Sequence, residues 1–245
     1  FFPAIVGLFL IAPLVSRSGM RALRTTKMPL HLVRTLFSLL AMAALYYAVA
    51  IKPLAEVIAL TFLIPIFVTI ASSLILREAV GVHRWVATIF GFAGALIIIR
   101  PGLTEFDFPI FLVLLSSALY AGAWSSVKVL TRTDQASVTI FWMNILMVPL
   151  TLIPLAFVWV TPIWDDFTPI LIMALSGWLA HFCQAKAFEK SDASAVMPFD
   201  FLRLPVAALF GYILFSETLD VWSWVGAMII FAAGYYTVRR EKLNT

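Results

Sequence analysis

The chain of 245 residues is too apolar for a soluble globular domain, with 62% hydrophobic residues, 12% charged residues and a mean hydropathy of +1.01. A soluble domain is about half apolar and about a quarter charged, so this composition predicts a lipid environment. The net charge of +4 comes from basic residues in short loops between apolar runs. That placement is typical of membrane topology, and we predict no nucleic-acid partner. The single cysteine, Cys183, excludes an intrachain disulfide.

Nine apolar segments are candidates for transmembrane helices, which need about 20 residues each. In chain order they are 1–16, 30–51, 54–76, 84–100, 108–128, 137–160, 168–188, 193–215 and 222–238. They are too long and too uniformly apolar for barrel strands, which alternate over about ten residues. The first segment starts at Phe1 with no basic region before it. It is therefore expected to be a shortened helix rather than a signal peptide.

The charges of the loops alternate along the chain. Of the 17 Lys and Arg, 14 lie on one side, in every second loop and, for Arg34, at the start of the second span. The intervening loops contain Lys52 and Arg100 and carry acids, and Arg203 lies within a span. Lys and Arg concentrate on the cytoplasmic side of membrane proteins. The pattern therefore predicts a protein of the cytoplasmic (inner) membrane with its C-terminus in the cytoplasm.

An internal repeat appears when Glu78 is placed over Glu217. Trp85 then falls on Trp224, and an arginine and three apolar residues also coincide. The offset spans five helices, an odd number, so the two copies are predicted to be inverted relative to each other. Inverted repeats are a feature of secondary transporters.

This repeat predicts an all-α integral membrane protein with two inverted five-helix halves, 1–104 and 105–245. Ten transmembrane helices are expected, of which nine lie in this chain and the first is missing.

Two segments carry the repeat, LAEVIALTFLIPIFVTIASSLILREAVGVHRWVATIFGFAGALII (54–98) and DASAVMPFDFLRLPVAALFGYILFSETLDVWSWVGAMIIFAAG (192–234). Each contains a helix with proline, a terminal Glu, a Trp and a helix rich in small residues. In this pattern the whole chain resembles the EamA branch of the drug/metabolite transporter superfamily. The resemblance implies ten helices in two inverted halves and a central substrate cavity, but it names no substrate.

Asp200 and Arg203 are charged residues well inside a predicted span. A charge at the bilayer centre costs about 2.5–3.5 kcal/mol on insertion scales, and the i,i+3 spacing places both side chains on one helix face. One interpretation is a substrate site in which Arg203 binds an anionic group or Asp200 binds a cation or proton. The other is a structural ion pair between packed helices.

Four further side chains are candidates for the walls of a substrate pocket, with hydrogen bonding between helices as the alternative. They are Tyr120, Trp124, His181 and Gln184. Prolines remove a backbone hydrogen bond and kink helices. Candidate hinges or kinks are therefore Pro65, Pro198 and Pro205.

The sequence contains no phosphate-binding loop, metal-ligand spacing or nucleophile motif, so we predict neither an enzyme nor a cofactor or metal site. We predict a secondary transporter that moves a small polar or amphipathic metabolite by alternating access, with its site near the bilayer midplane. The alternative is a non-transporting membrane subunit that acts as an assembly partner. Expected partners are a small-molecule substrate and membrane lipids; a homodimer or a larger membrane complex is left open.

Overall fold

The computed structural model describes residues 2–18, 23–52, 54–99, 107–159, 161–203, 205–206, 209, 213 and 221–244. Within them the chain is helical and contains no strand, which confirms the predicted all-α class for this part. The helices are α1 (Phe2–Ser18), α2 (Met28–Val49), α3 (Leu54–Thr61), α4 (Leu63–Leu74), α5 (Val82–Ile99), α6 (Phe108–Leu130), α7 (Ala136–Val158), α8 (Trp164–Lys190), α9 (Ala193–Val196), a 3₁₀ helix (Met197–Leu202) and α10 (Val221–Asn244). Phe1, Arg100 and Glu217 lie outside the described residues.

Four helices of the described chain are long and apolar enough to cross a membrane. They are Met28–Val49, Phe108–Leu130, Ala136–Phe157 and Trp164–Lys190. Five shorter apolar helices coincide with the other predicted spans: Phe2–Pro13, Leu63–Leu74, Val82–Ile97, Ala193–Leu202 and Trp224–Tyr236. The described helices thus overlap all nine predicted spans.

The predicted span 54–76 is interrupted at Phe62, where α3 ends and α4 begins. Pro65 has no backbone N–H and leaves the carbonyl of Thr61 without its usual helical donor. In the predicted span 193–215, Pro198 lies in the first turn of the 3₁₀ helix. Pro205 is half-buried in helical backbone just beyond it. A hinge role for these prolines stays a prediction.

The chain divides into two compact units. Unit 1 contains Phe1–Leu39 and Ser126–Ser191, and unit 2 contains Leu40–Ser125 and Asp192–Thr245. In unit 1, α1 packs against α7 and α8, which also pack against each other. In unit 2, α5 packs against α10 and the 3₁₀ helix, and α4 packs against α9.

The contact of α5 with α10 depends on a glycine. A Cβ added at Gly94 would lie 2.9 Å from the backbone oxygen of Gly226 and 2.9 Å from the side chain of Ile230. Small residues of this kind let helix backbones approach closely in membrane proteins. Next to this contact, Phe62, Ala95, Phe201 and Ile230 form a buried core cluster.

Loop residues of unit 2 connect the ends of its helices. In unit 2, Glu78 accepts hydrogen bonds from the backbone N–H groups of Ala193 (3.0 Å) and Ser194 (3.2 Å) and so caps the start of α9. In the same region Arg84 pairs with Asp192 at 3.0 Å. These contacts join loops that the charge pattern predicts to lie on the same side of the membrane, but the identity of that side stays a prediction.

Candidate functional site

Arg203 follows the 3₁₀ helix of unit 2 and reaches the helix break at Phe62. Its Nη2 donates a hydrogen bond to Thr61 Oγ1 at 3.1 Å, and its Cζ lies 4.4 Å from the centre of the Phe62 ring. Cation–π contacts of this kind contribute about 0.5–2 kcal/mol, depending on desolvation. The Arg203 side chain is nevertheless 46% exposed, so these two contacts do not enclose it.

Asp200 lies one turn before Arg203 in the same segment. Its Oδ2 is 3.6 Å from Arg203 Nη2, which is an ion pair but too long for a hydrogen bond. Among the described residues, no donor reaches the Asp200 carboxylate, and Arg203 donates only the bond to Thr61 although a guanidinium has five N–H groups. The structure therefore brings the predicted pair together, and the described residues use little of its hydrogen-bonding capacity.

A rigid aromatic layer supports this pair. The rings of Phe62 and Phe201 stack with their centroids 5.7 Å apart and an interplanar angle of 18°. Both rings are buried. Because a close-packed interior tolerates little displacement, the backbone that carries Thr61 and Arg203 is held in place.

Tyr120 and Trp124 also belong to unit 2, on one face of α6, and both are half-buried. Neither forms a hydrogen bond or ring contact with Asp200 or Arg203 in the described structure. Nearby on α6, the Ser125 hydroxyl is buried and has no hydrogen-bond partner among the described residues. Their assignment to a substrate pocket stays a prediction.

His181 and Gln184 belong to unit 1, on α8. Their i,i+3 spacing places them on one face of the helix, where His181 is exposed and Gln184 is half-buried. Most of the α8 surface is exposed, including Leu179 and Met173. Exposed polar groups on an apolar helix need a covering of water, ligand or protein, so this face remains a candidate for a pocket wall.

Sequence reasoning missed the roles of Thr61 and Phe62 because their contact with Arg203 joins distant parts of the chain. It also counted Arg34, at the start of the predicted span 30–51, with the basic loops. In unit 1 Arg34 is only 3% exposed and donates to the carbonyl oxygen of Thr139 (2.9 Å) and the sulfur of Met143 (3.2 Å). The signal was available, since Arg34 lies inside an apolar run.

His31, one turn before Arg34, is buried with its Nε2 2.9 Å from Asp134 Oδ2. The same Oδ2 accepts a hydrogen bond from Thr25 at 2.6 Å. Burial raises the pKa of the Asp134 carboxyl, but hydrogen bonds from Thr25, His31 and Thr133 outweigh it and hold this pKa below its usual value. In the described part of the chain no cluster of His, Cys, Asp and Glu is suited to hold a metal ion.

A chain of apolar helices with a charge pair at a helix break is typical of a helical membrane protein with an internal polar site. The model of the EamA-like transporter family matches residues 1–100 and 107–239. The chain therefore belongs to the EamA-like transporter family, as its sequence pattern predicted.

The relatives of this chain include transporters of two metabolites. It is 32% identical to the riboflavin transporter of Brucella anthropi, over 99% of this chain and 87% of that protein. It is 34% identical to the riboflavin transporter of Vibrio cholerae, over 92% of this chain and 76% of that protein. It is 28% identical to the S-adenosylmethionine uptake transporter of Rickettsia prowazekii, over 99% of this chain and 81% of that protein.

The chain also resembles a protein of known crystal structure, with a TM-score of 0.83 and 12% sequence identity. The superposition covers all of this chain and 88% of that one. At that identity the likeness concerns the fold alone. The family membership and the similarity to the named transporters identify an integral membrane protein that transports a small metabolite and is not an enzyme.

Proposed function

We propose that this protein is a secondary transporter that carries riboflavin or a similar planar heterocycle across the cytoplasmic membrane by alternating access. The observation that carries the proposal is the Asp200–Arg203 pair, which is partly exposed and lies at a helix break inside an apolar chain. Among the described residues, its one side-chain hydrogen bond is that from Arg203 to Thr61. Charges in such surroundings are costly and usually line a substrate path.

The similarity to riboflavin transporters of two bacteria, at 32% and 34% identity, supports the flavin class. The isoalloxazine ring of riboflavin is planar and aromatic, and its edge carries carbonyl and N–H groups. Binding sites for such ligands combine apolar and aromatic walls with a few placed polar groups. Asp200 and Arg203 are the polar groups of the proposed site in unit 2, and Tyr120 and Trp124 of the same unit are proposed for its walls. His181 and Gln184, in unit 1, stay predicted substrate-binding residues.

Interrupted helices near the charge pair support a site at the bilayer midplane. Transporters of this type bind substrate where helices are discontinuous, and here α3 and α4 are separated at Phe62 while α9 continues as a 3₁₀ helix. Pro65, Pro198 and Pro205 are the proposed hinges. The separate family matches to 1–100 and 107–239 support the division into the repeats 1–104 and 105–245, and their inverted arrangement is part of the proposal.

Uptake of radiolabelled riboflavin into proteoliposomes containing the full-length protein tests the proposal. We expect saturable uptake that Arg203→Gln reduces at least about tenfold, because the guanidinium is the main donor to the substrate. Arg24→Gln, at an exposed loop position, is the matched control and keeps wild-type uptake. The absence of riboflavin uptake by folded protein would refute the riboflavin assignment.

The similarity to S-adenosylmethionine uptake transporters favours a second candidate substrate. Uptake of labelled S-adenosylmethionine into the same proteoliposomes distinguishes the two candidate substrates, since this compound is a charged sulfonium amino acid and riboflavin is neutral. If folded protein transports neither compound but co-purifies with another membrane protein in fixed stoichiometry, the alternative of a non-transporting assembly partner is favoured.

A further inference from the structure

The Asp200–Arg203 pair offers a ligand a hydrogen-bond donor and an acceptor side by side. The two groups are 3.6 Å apart, and both are partly exposed, at 46% for Arg203 and 20% for Asp200. In the described structure the carboxylate accepts no hydrogen bond, and all but one of the guanidinium N–H groups are unused. Because an unsatisfied polar group in apolar surroundings is costly, a complementary ligand edge would be bound strongly.

We infer that Asp200 and Arg203 recognise the lactam or imide edge of a planar heterocycle; this inference rests on the proposed function. Such an edge has a carbonyl oxygen next to an N–H. Standard C=O and C–N bond lengths place this oxygen and this nitrogen roughly 2.2 Å apart. The carbonyl accepts a hydrogen bond from Arg203 while the N–H donates to Asp200. Both bonds involve an ionised partner and are therefore stronger than neutral hydrogen bonds.

The charge of the pair selects a neutral edge. The carboxylate of Asp200 lies beside the guanidinium and repels a carboxylate or phosphate that approaches Arg203. The guanidinium in turn repels a cationic group that approaches Asp200. Since a like charge at this distance disfavours binding, an uncharged group with adjacent acceptor and donor atoms fits the pair better than an ion of either sign.

Thr61 is a positioning residue for Arg203. Its hydroxyl donates to the carbonyl oxygen of Ile58 at 2.7 Å, so the lone pairs of Oγ1 point to other donors, and one accepts from Arg203 at 3.1 Å. Phe62 covers one face of the guanidinium. Both neighbours come from the helix break, and together they fix the position of the guanidinium while using one of its N–H groups.

The test compares riboflavin with its N3-methyl analogue, in which methylation removes the N–H of the imide edge and keeps both carbonyls. Uptake is measured in proteoliposomes. We expect wild-type protein to prefer riboflavin by at least about tenfold, because a site that pairs a polar group rejects ligands that leave it unpaired. Asp200→Ala removes the preference, and Asp200→Asn, which keeps a weaker acceptor, reduces it.

Thr61→Val raises the KM for both compounds and keeps the preference, whereas Thr61→Ser restores the wild-type KM. Asp165→Asn, at an exposed position of α8, is the control and changes neither value. Thermal unfolding of each variant identifies folding defects. Equal uptake of riboflavin and its analogue by wild-type protein, or an unchanged preference in both Asp200 variants, overturns the inference and leaves the proposed function standing. Uptake of neither compound by folded wild-type protein overturns both.

Discussion

Asp134 lies in the turn between α6 and α7. Its carboxylate forms hydrogen bonds with Thr25 and His31, which lie earlier in the chain within unit 1. Its side chain is only 7% exposed, so these bonds offset the cost of removing a charge from water. The lowered pKa of Asp134 means that the folded protein favours the ionised carboxylate more than the unfolded chain does. At the residue scale, this cluster therefore makes stability dependent on pH.

We expect Thr25→Val to destabilise the protein by about 1–2 kcal/mol at neutral pH, because a hydrogen bond to a charged acceptor is lost. The stabilisation from a lowered carboxyl pKa is present above the ordinary pKa and is lost as the pH falls through the lowered one. The difference between variant and wild type should therefore shrink in acid. Thermal unfolding across a pH series measures it. Thr26→Val, at the exposed neighbouring position, is the control, and a pH-independent difference would contradict the account.

At the scale of helices, the sequence predicts their positions better than their contacts. The lengths of the apolar runs predicted where helices would occur, and the proline at position 65 predicted a disturbance of the span 54–76, because proline removes a backbone donor. The contact of Thr61 and Phe62 with Arg203 was not predictable in the same way. It depends on packing between segments separated by 142 residues, and such packing has no periodic signature in the sequence.

At the same scale, the contact of α5 with α10 predicts a large difference between two Gly→Ala substitutions. A Cβ at Gly94 meets backbone and side-chain atoms at 2.9 Å, whereas a Cβ at Gly177 in α8 meets nothing within 4 Å. Gly94→Ala should therefore destabilise by about 1–3 kcal/mol through overpacking.

Gly177→Ala should be neutral or stabilising by up to about 1 kcal/mol, because alanine favours the helix. Thermal unfolding in one detergent compares the two variants directly. Equal effects would show that α5 and α10 have room to separate.

For the whole molecule, the sequence predicted the family correctly. The orientation in the membrane is inferred from the distribution of Lys and Arg among the loops. The described helices coincide with the predicted spans, and loops expected on one side contact each other, as Lys52 does Asp107. Such contacts are the same whichever face is cytoplasmic. The positive-inside rule alone assigns the sides.

Fusions to reporter proteins test this assignment. A fluorescent protein after the last residue should be fluorescent, and alkaline phosphatase at the same point inactive, because the C-terminus is predicted to be cytoplasmic. Fusions after Glu105, in a loop predicted on the opposite side, should give the reverse pattern. The opposite result at both positions would invert the predicted topology.

The close approach at Gly94 and Gly226 also has an evolutionary consequence. With a carbonyl oxygen 2.9 Å from the missing Cβ, no larger side chain at position 94 fits without moving α10, and the partner position is already the smallest residue. A compensating replacement at 226 therefore does not exist. Among relatives that keep this helix contact, position 94 should remain glycine even where the substrate has changed, which would separate the residues that maintain the fold from those that determine the cargo.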